Sequence, residues 1–213
     1  MRLLPVLALV AVFAAGCGQL EQTGTPASCS AAGLALPLPQ HPNIPEELER
    51  SRQAIAAAAG ACDYDELERL ALKRERGGAF TYHYLDARTT PPPARYWREL
   101  EEDGHDVLAE LVGLLALEPL SSEDVETDAV SDDVTFAWPG RVESDEDWRA
   151  LVDVYGEETV ACFREHGGYS GYRLGFFDDG DWWFFVTEEQ ATEFDEPGEE
   201  PPLVPNCLGL RDD

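Results

Sequence analysis

The chain has 213 residues, of which 44% are hydrophobic, and its 43 acidic residues against 15 lysines and arginines give a net charge of −28 at pH 7. The hydrophobic content excludes a disordered chain and is sufficient for one folded core. The negative charge excludes nucleic acid as a partner and attracts cations and basic proteins, although a coding bias or a salty habitat also produces such acidity.

The N-terminal segment has the parts of an export signal. Arg2 supplies a positive start, residues 3–13 are apolar apart from Pro5, and small residues precede Cys17. The pattern resembles the lipobox of bacterial lipoproteins, in which the cysteine is acylated and becomes the new N-terminus. The resemblance implies a lipid anchor at Cys17 and a location on the extracytoplasmic face of the cell membrane. An ordinary secretory signal and a retained membrane anchor are the alternatives, but the apolar run is far shorter than the roughly 20 residues of a spanning helix.

Changes in composition divide the chain into four parts. Residues 1–16 are predicted to be the signal peptide, and residues 17–44, with several prolines and few charges, a flexible spacer. Residues 45–195 are predicted to form one globular domain of ordinary size. Residues 196–213 contain four prolines and are predicted to be an extended acidic tail.

Four cysteines remain after Cys17, namely Cys29, Cys62, Cys162 and Cys207. An even number in an exported protein predicts disulfides, with buried free thiols as the alternative. Four cysteines allow three pairings, and the sequence does not choose among them. Their positions favour Cys29 with Cys207, because both lie in proline-rich flanks, and Cys62 with Cys162 inside the domain. No two cysteines have the C-x₂₋₄-C spacing of structural zinc sites.

Caps and apolar spacing predict five helices. Pro45 suits the first turn of a helix that ends near Gly60, and Asp63 begins a second helix with capping-box-like spacing to Glu66. Three prolines at 91–93 lead into a third helix. The fourth lies beyond Gly104 and has a strongly apolar face made of Val107, Leu108, Leu111, Val112 and Leu115. The fifth is capped by Ser144 and carries Trp148, Leu151, Val152 and Tyr155.

Four segments are predicted to be strands. Two stand alone, at 79–85 and 134–138, and the other two, at 172–177 and 182–187, form a hairpin around a turn in which Gly180 can adopt a positive φ. Both faces of the last strand are aromatic or apolar, which predicts either a strand covered on two sides or an aromatic surface that faces a ligand. The predicted fold class is α+β, with amphipathic helices packed on a small antiparallel sheet whose C-terminal β-hairpin is central.

Several short motifs resemble those of uncharacterised domains in bacterial surface lipoproteins. The motifs are Cys62-Asp63-Tyr64-Asp65-Glu66-Leu67, Phe80-Thr81-Tyr82, Tyr96-Trp97-Arg98, Ala137-Trp138-Pro139 and Gly171-Tyr172-Arg173 with the hairpin. The resemblance covers most of residues 46–187 and implies no particular activity. In element order, two leading helices and a curled antiparallel sheet are also distantly similar to helix-on-sheet folds related to nuclear transport factor 2, which include enzymes and binding modules.

No catalytic, cofactor or metal site is predicted. The segment 168–171 resembles a nucleophile elbow, but Tyr172 stands where that motif needs glycine. The four histidines include no pair at i, i+4 that would bind zinc on a helix. The aspartates Asp178, Asp179 and Asp181 lack the spacing of an EF-hand and suit a turn.

Two functions from different classes remain. The sequence favours a lipid-anchored binding or interaction module with a cationic or small-molecule partner. Its pocket is predicted to be lined by aromatic residues, namely Tyr82, Tyr84, Trp97, Trp183 and Phe185. The alternative is a cell-envelope hydrolase acting on glycans, which needs two carboxyl groups about 5 to 9.5 Å apart, one of them with a raised pKa.

Overall fold

The computed structural model describes residues 28–34, 36–73, 80–82, 91–121, 135–187 and 206–209. The elements in these ranges confirm the predicted α+β class. The predicted signal peptide, Cys17 and Tyr84 lie outside the described residues. The elements are α1 (Glu46–Gly60), α2 (Tyr64–Leu72), α3 (Pro93–Glu102), α4 (Val107–Leu115), β1 (Leu120–Ser121), β2 (Phe136–Trp138), α5 (Asp145–Glu165), β3 (Tyr172–Phe176) and β4 (Trp182–Thr187).

In the described ranges we find no helix with the length and apolarity that a bilayer-spanning segment requires.

The sheet has the order β1-β2-β3-β4, and all neighbouring strands are antiparallel. The predicted hairpin is confirmed as β3 and β4, with Gly180 in the turn at φ +84°. The hairpin is not central as predicted, because β4 is the last strand of the order. Among the described residues, Thr81 pairs with the outer edge of β4, where its N–H donates to Trp183 O at 3.1 Å and its carbonyl accepts from Phe185 N–H at 2.9 Å.

A register shift in the hairpin changes which face of β4 each aromatic side chain occupies. Phe176 of β3 pairs with Trp182, although uninterrupted pairing would place Trp183 opposite it. One extra residue on a strand reverses the alternation of faces beyond it. Trp182 and Phe185 therefore both contact Trp97, with ring centroids 5.7 and 6.2 Å away. Simple alternation predicted opposite faces for these two side chains.

The helices cover the sheet with an aromatic core. The Trp97 ring of α3 stacks on Trp182, and Phe80 meets both ring systems edge-on at 6.0 and 4.8 Å. Burial of each large ring contributes roughly 1.5 to 3 kcal/mol, so these contacts determine how α3 lies on the sheet. The largest fully buried side chains include Trp97, Trp138, Trp182, Phe163, Phe176 and Phe185.

Side-chain caps confirm two of the predicted helix starts. Asp63 accepts a hydrogen bond from Glu66 N–H at 3.0 Å, and Ser144 accepts one from Asp147 N–H at 3.2 Å. The Asp147 carboxylate accepts from Ser144 N–H at 2.7 Å in return, which completes a capping box. α5 is kinked at Gly156, whose φ of 81° and ψ of 165° are accessible to glycine and costly for other residues.

Arg52 of α1 is a fully buried cation that joins three parts of the fold. Its Nε donates to the Glu49 carboxylate at 2.9 Å. Its two terminal nitrogens donate to Leu115 O, at the end of α4, and to Pro39 O, ahead of α1. The last carbonyls of a helix lack intrahelical partners, so Arg52 satisfies one of them from a neighbouring helix.

The described part of the predicted spacer, from residue 28 onward, packs on the domain. Ala31 and Leu38 are buried in the core. The Gln53 side-chain amide accepts from Leu38 N–H and donates to Leu38 O, both at 3.1 Å. Residues 28–34 and 36–44 therefore contribute to the folded unit ahead of the predicted boundary at residue 45.

The four cysteines form two disulfides, but the predicted pairing was wrong. Cys29 bonds Cys62, and Cys162 bonds Cys207, each with Cα atoms 5.7 Å apart. The pairs Cys29 with Cys207 and Cys62 with Cys162 do not form, because each flank docks on the helix end nearest to it. The N-terminal flank lies at the end of α1, beside Cys62, and the C-terminal segment lies on the last turn of α5.

Candidate functional site

The structure divides the aromatic residues that were predicted to line a pocket. Trp97 and Phe185 are fully buried in the core, with ring centroids 6.2 Å apart. Tyr82 is partly buried at the edge of this cluster, 6.4 Å from Trp97. Trp183 packs elsewhere, edge-on against Phe177 at 5.0 Å. The described members thus serve mainly as core, and the structure does not bring all of them to one surface.

A cavity of about 260 Å³ lies between α1, the end of α2 and the hairpin turn, and none of the predicted pocket residues line it. The turn approaches α1 so closely that a Cβ built on Gly180 would lie 2.7 Å from Glu47 O. The lining mixes three acidic with two basic side chains, so its charge does not point to one class of ligand. The lining residues are Glu47, Arg50, Ser51, Ile55, Leu70, Lys73, Asp179, Gly180, Asp181 and Trp182.

A stronger candidate is a group of one carboxyl and several phenols where α3, α4, α5 and the start of β3 meet. Glu110 is the one charged residue in Val107–Leu115, whose other side chains are mostly buried. The acid is partly buried and interacts electrostatically with tyrosines from neighbouring elements. We call this group the Glu110 cluster, and its members are Glu110, Tyr96, Tyr155, Tyr169 and Tyr172.

Three tyrosines of the Glu110 cluster form a closed ring of hydrogen bonds. Tyr172 N–H donates to the Tyr155 hydroxyl at 3.0 Å, and the Tyr155 and Tyr169 hydroxyls are 2.8 Å apart. The Tyr169 hydroxyl donates to Tyr172 O. Because that bond uses the Tyr169 proton, Tyr155 is the donor between the two hydroxyls. The ring begins and ends on the Tyr172 backbone, so it fixes the start of β3 against α5.

The hydroxyl of Tyr172 has no hydrogen-bond partner among the described residues, although it is buried. Its ring stacks on Phe185 with centroids 4.6 Å apart, so the side chain is anchored in the core. An unsatisfied buried hydroxyl costs about 1 to 3 kcal/mol, and such groups in native structures call for an explanation. With no partner among the described residues, this hydroxyl is a candidate contact for a ligand.

Burial, together with the nearby carboxylates of Asp106 and Glu101, raises the pKa of Glu110 to about 8. Glu110 is therefore protonated at pH 7. The pKa values of Tyr155 and Tyr172 are raised well above 10, mainly by burial, so both phenols are neutral. Among the described residues, no basic side chain acts on Glu110 to offset its acidic neighbours.

This arrangement supports two kinds of chemistry. A protonated carboxyl with a pKa near neutrality can donate a proton as a general acid. The same carboxyl can ionise when a cation approaches, because an opposite charge within about 4 to 6 Å lowers the pKa of an acid. In either case the Tyr172 hydroxyl, which has no partner among the described residues, is available as a polar contact. The rings are already engaged, because Tyr172 stacks on Phe185 and the Arg173 guanidinium lies 5.2 Å from the centroid of the Tyr169 ring.

Only one group of metal-ligating side chains with suitable proximity occurs in the described ranges. It comprises Cys162, His166 and Cys207, with donor atoms within 4.8 Å of one another. The two cysteines are joined as a disulfide, so in this state their sulfur atoms are not thiolate ligands.

The chain matches no protein-family model, no curated protein and no solved structure. The resemblance to surface lipoproteins and the similarity to folds related to nuclear transport factor 2 therefore stay predictions.

Sequence reasoning missed the Glu110 cluster, although a signal was present. A single acid within an otherwise apolar nine-residue helix is unusual, because such a helix turns most of its surface toward the core. The tyrosines gave no comparable signal. Tyr96, Tyr155 and Tyr172 are far apart in the sequence, and only the tertiary fold brings them into one group with Glu110.

Proposed function

We propose that this protein is a lipid-anchored lipoprotein of the cell envelope whose domain binds a small organic cation at the Glu110 cluster. The anchor is supported by Cys17, which follows a short positive and apolar segment with small residues before the cysteine. The binding site is supported by one observation above all. Glu110 is partly buried beside two carboxylates and, among the described residues, without a basic partner.

A bound cation would supply the missing positive charge. It would favour the ionised form of Glu110 and so reverse part of the rise in its pKa. The Tyr172 hydroxyl, which has no partner among the described residues, can accept a hydrogen bond from an ammonium N–H. The Tyr169 ring already holds a cation on its face, the Arg173 guanidinium, 5.2 Å from the ring centroid. The net charge of −28 raises the local concentration of cations around the domain.

The proposal links binding to proton release. Because the pKa of Glu110 is about 8, the free protein holds a proton there at pH 7. Binding of a cation expels that proton, so up to one proton leaves for each cation bound. Affinity therefore rises as the pH increases toward 8 and levels off above it.

Calorimetry with spermidine, choline and a lysine-containing tripeptide tests the proposal. We expect at least one probe to bind and to release protons, measured as a binding enthalpy that depends on the ionisation enthalpy of the buffer. Glu110→Gln removes the proton release and weakens binding at least about tenfold, or about 1.4 kcal/mol. Glu157→Gln, a change at an exposed glutamate of α5, is the matched control and leaves both unchanged. Failure of all probes to bind, or equal binding by Glu110→Gln, contradicts the proposed site.

The raised pKa of Glu110 also favours a second function, that of an envelope hydrolase in which Glu110 is the general acid. Purified protein would then release reducing ends from cell-wall glycans, and Glu110→Gln would remove that activity. Binding of cations without any glycan cleavage decides in favour of the first function.

A further inference from the structure

The last turn of α5 and the C-terminal segment bring three metal-ligating side chains together. Cys162 and His166 are one helical turn apart, at i and i+4, and Cys207 belongs to the described segment 206–209. One donor atom from each side chain lies within 4.8 Å of the other two. The group has no paired histidines in the sequence to indicate it, because it combines one histidine with two cysteines.

The distances suit a tetrahedral zinc ion. Zinc bonds of about 2.3 Å to sulfur and about 2.0 Å to nitrogen place a sulfur and a nitrogen ligand about 3.5 Å apart, and two sulfurs about 3.8 Å apart. The observed distance from Cys162 Sγ to His166 Nδ1 is 3.7 Å, so this pair already has the required spacing. After reduction the sulfurs of Cys162 and Cys207 are no longer bonded and have only to separate to that spacing.

We propose that Cys162, His166 and Cys207 form a zinc site when the Cys162–Cys207 disulfide is reduced, with water as the fourth ligand. A dithiol reductant donates two electrons and two protons and becomes a disulfide, while the bond between the two cysteines breaks to give two thiols. Zinc then binds both sulfurs as thiolates and displaces their two protons. The disulfide and the zinc ion are thus alternative crosslinks of the same pair of cysteines.

The site is accessible to both reagents. His166 is exposed, and Cys162 and Cys207 are partly buried, so a small dithiol and a metal ion reach the group from solvent. The His166 Nδ1 atom lies 2.9 Å from Cys162 O. Ligation through this nitrogen requires the proton to be on Nε2, so the bond to zinc replaces any hydrogen bond from Nδ1 to the carbonyl.

The second disulfide provides an internal comparison. Cys62 is buried, and the Cys29–Cys62 pair is not part of any group of metal-ligating side chains in the described ranges. Reduction of Cys29–Cys62 therefore removes a crosslink. Reduction of Cys162–Cys207 exchanges one crosslink for another, and the C-terminal segment stays attached to α5 as long as zinc is present.

Cobalt and zinc binding by the reduced full-length protein test the proposal. The protein is reduced without oxygen by a dithiol, freed of the reagent and titrated with Co²⁺, a spectroscopic substitute for zinc. We expect one Co²⁺ for each chain, with a thiolate-to-cobalt charge-transfer absorption, and none in the oxidised protein. Zinc affinity is then measured by competition with a chromogenic chelator. We expect His166→Ala to weaken zinc binding at least about tenfold.

Three variants make the result specific. Cys162→Ser removes the charge-transfer absorption, whereas the Cys29→Ala, Cys62→Ala double variant keeps it. His105→Ala, at the turn between α3 and α4, leaves the zinc affinity unchanged. Circular dichroism checks that the reduced protein remains folded. An unaltered zinc affinity in His166→Ala, a charge-transfer absorption that persists in Cys162→Ser, or loss of the fold on reduction would each overturn the proposal.

Discussion

Ser30 and Glu101, 71 positions apart in the chain, together cap the first turn of α4. The Ser30 hydroxyl donates to the Glu101 carboxylate at 2.6 Å and accepts from Ala109 N–H at 2.8 Å. The same carboxylate accepts from Leu108 N–H at 2.8 Å. The residue at the N-cap position, Asp106, makes no side-chain cap of its own. Ser30, which lies ahead of α1, thus accepts a hydrogen bond from a backbone N–H in the first turn of α4, the helix that carries Glu110.

This relationship predicts that Ser30→Ala destabilises the protein. The change removes the acceptor for Ala109 N–H and one partner of Glu101, and loss of a capping hydroxyl costs about 1 kcal/mol. Denaturant unfolding measures the loss. Ser28→Ala, at an exposed serine two residues earlier, is the control and leaves the free energy of unfolding within about 0.5 kcal/mol. Equal stability of the two variants would show that the cap does not form.

Glu110→Gln is expected to change how stability depends on pH. The pKa of Glu110 is raised to about 8 in the folded protein. The protonated carboxyl therefore makes its full contribution to the free energy of unfolding below pH 4.5, and this contribution is lost as the pH rises to about 8. Because glutamine does not ionise, the variant does not lose stability in this way. It should therefore gain stability relative to the wild type between pH 4.5 and 8, by up to about 1.4 kcal/mol for each pH unit.

The comparison is made by measuring the free energy of unfolding of both proteins at several pH values. Other carboxyl groups titrate in both proteins, so only the difference between the two curves reports on Glu110. Parallel curves would mean that Glu110 ionises in the folded state as it does in the unfolded chain.

Arg52→Met is expected to destabilise the protein by about 3 kcal/mol. The change removes charge-assisted hydrogen bonds to Glu49 and leaves the carbonyls of Leu115 and Pro39 without their donor. Arg50→Met is the matched control, because the pair of Arg50 with Glu46 is exposed and worth little. Thermal and denaturant unfolding measure the loss of stability in both variants. A loss as small as that of the control would contradict the role given to Arg52.

The disulfide pairing predicts which peptides stay linked when the unreduced protein is digested. Mass spectrometry should find Cys29 linked to Cys62 and Cys162 linked to Cys207. The Cys29→Ala, Cys62→Ala double variant opens a loop with a sequence separation of 33, which costs about 3 to 4 kcal/mol in the loop-entropy model. A peptide that links Cys29 to Cys207 would contradict the structure.

Lipidation at Cys17 predicts incorporation of a palmitate analogue in living cells. Cys17→Ser should remove the label and release the protein from the membrane fraction, because the proposed acyl chains would be absent. Cys29→Ser is the control and keeps the label, since that cysteine is disulfide-bonded to Cys62. Label that survives Cys17→Ser would reject the proposed anchor.

The helices and the hairpin were predictable because they are set by local patterns. Asp63 and Ser144 cap their helices through residues three positions away, and the hairpin turn needs only Gly180 at a positive φ. Such interactions are within reach of the sequence because they connect near neighbours.

Features that depend on distant contacts were not predictable. The extra residue in β4 places Trp182 and Phe185 on the same face of the sheet, whereas regular alternation of side chains predicts opposite faces. The disulfide partners depend on which helix end each flank meets. The raised pKa of Glu110 depends on burial and on Glu101, a residue of another helix. Each of these follows from packing that a linear pattern does not contain.

The link between Cys29 and Cys62 would have a mechanical consequence if the anchor proposed at Cys17 holds the protein. Tension applied ahead of Cys29 passes through covalent bonds to Cys62, at the far end of α1. The sequence separation of 33 corresponds to about 110 Å of extended chain, which stretching cannot release while the bond is intact. A pulling force at the N-terminal side would therefore bypass α1 and act on the chain at the start of α2.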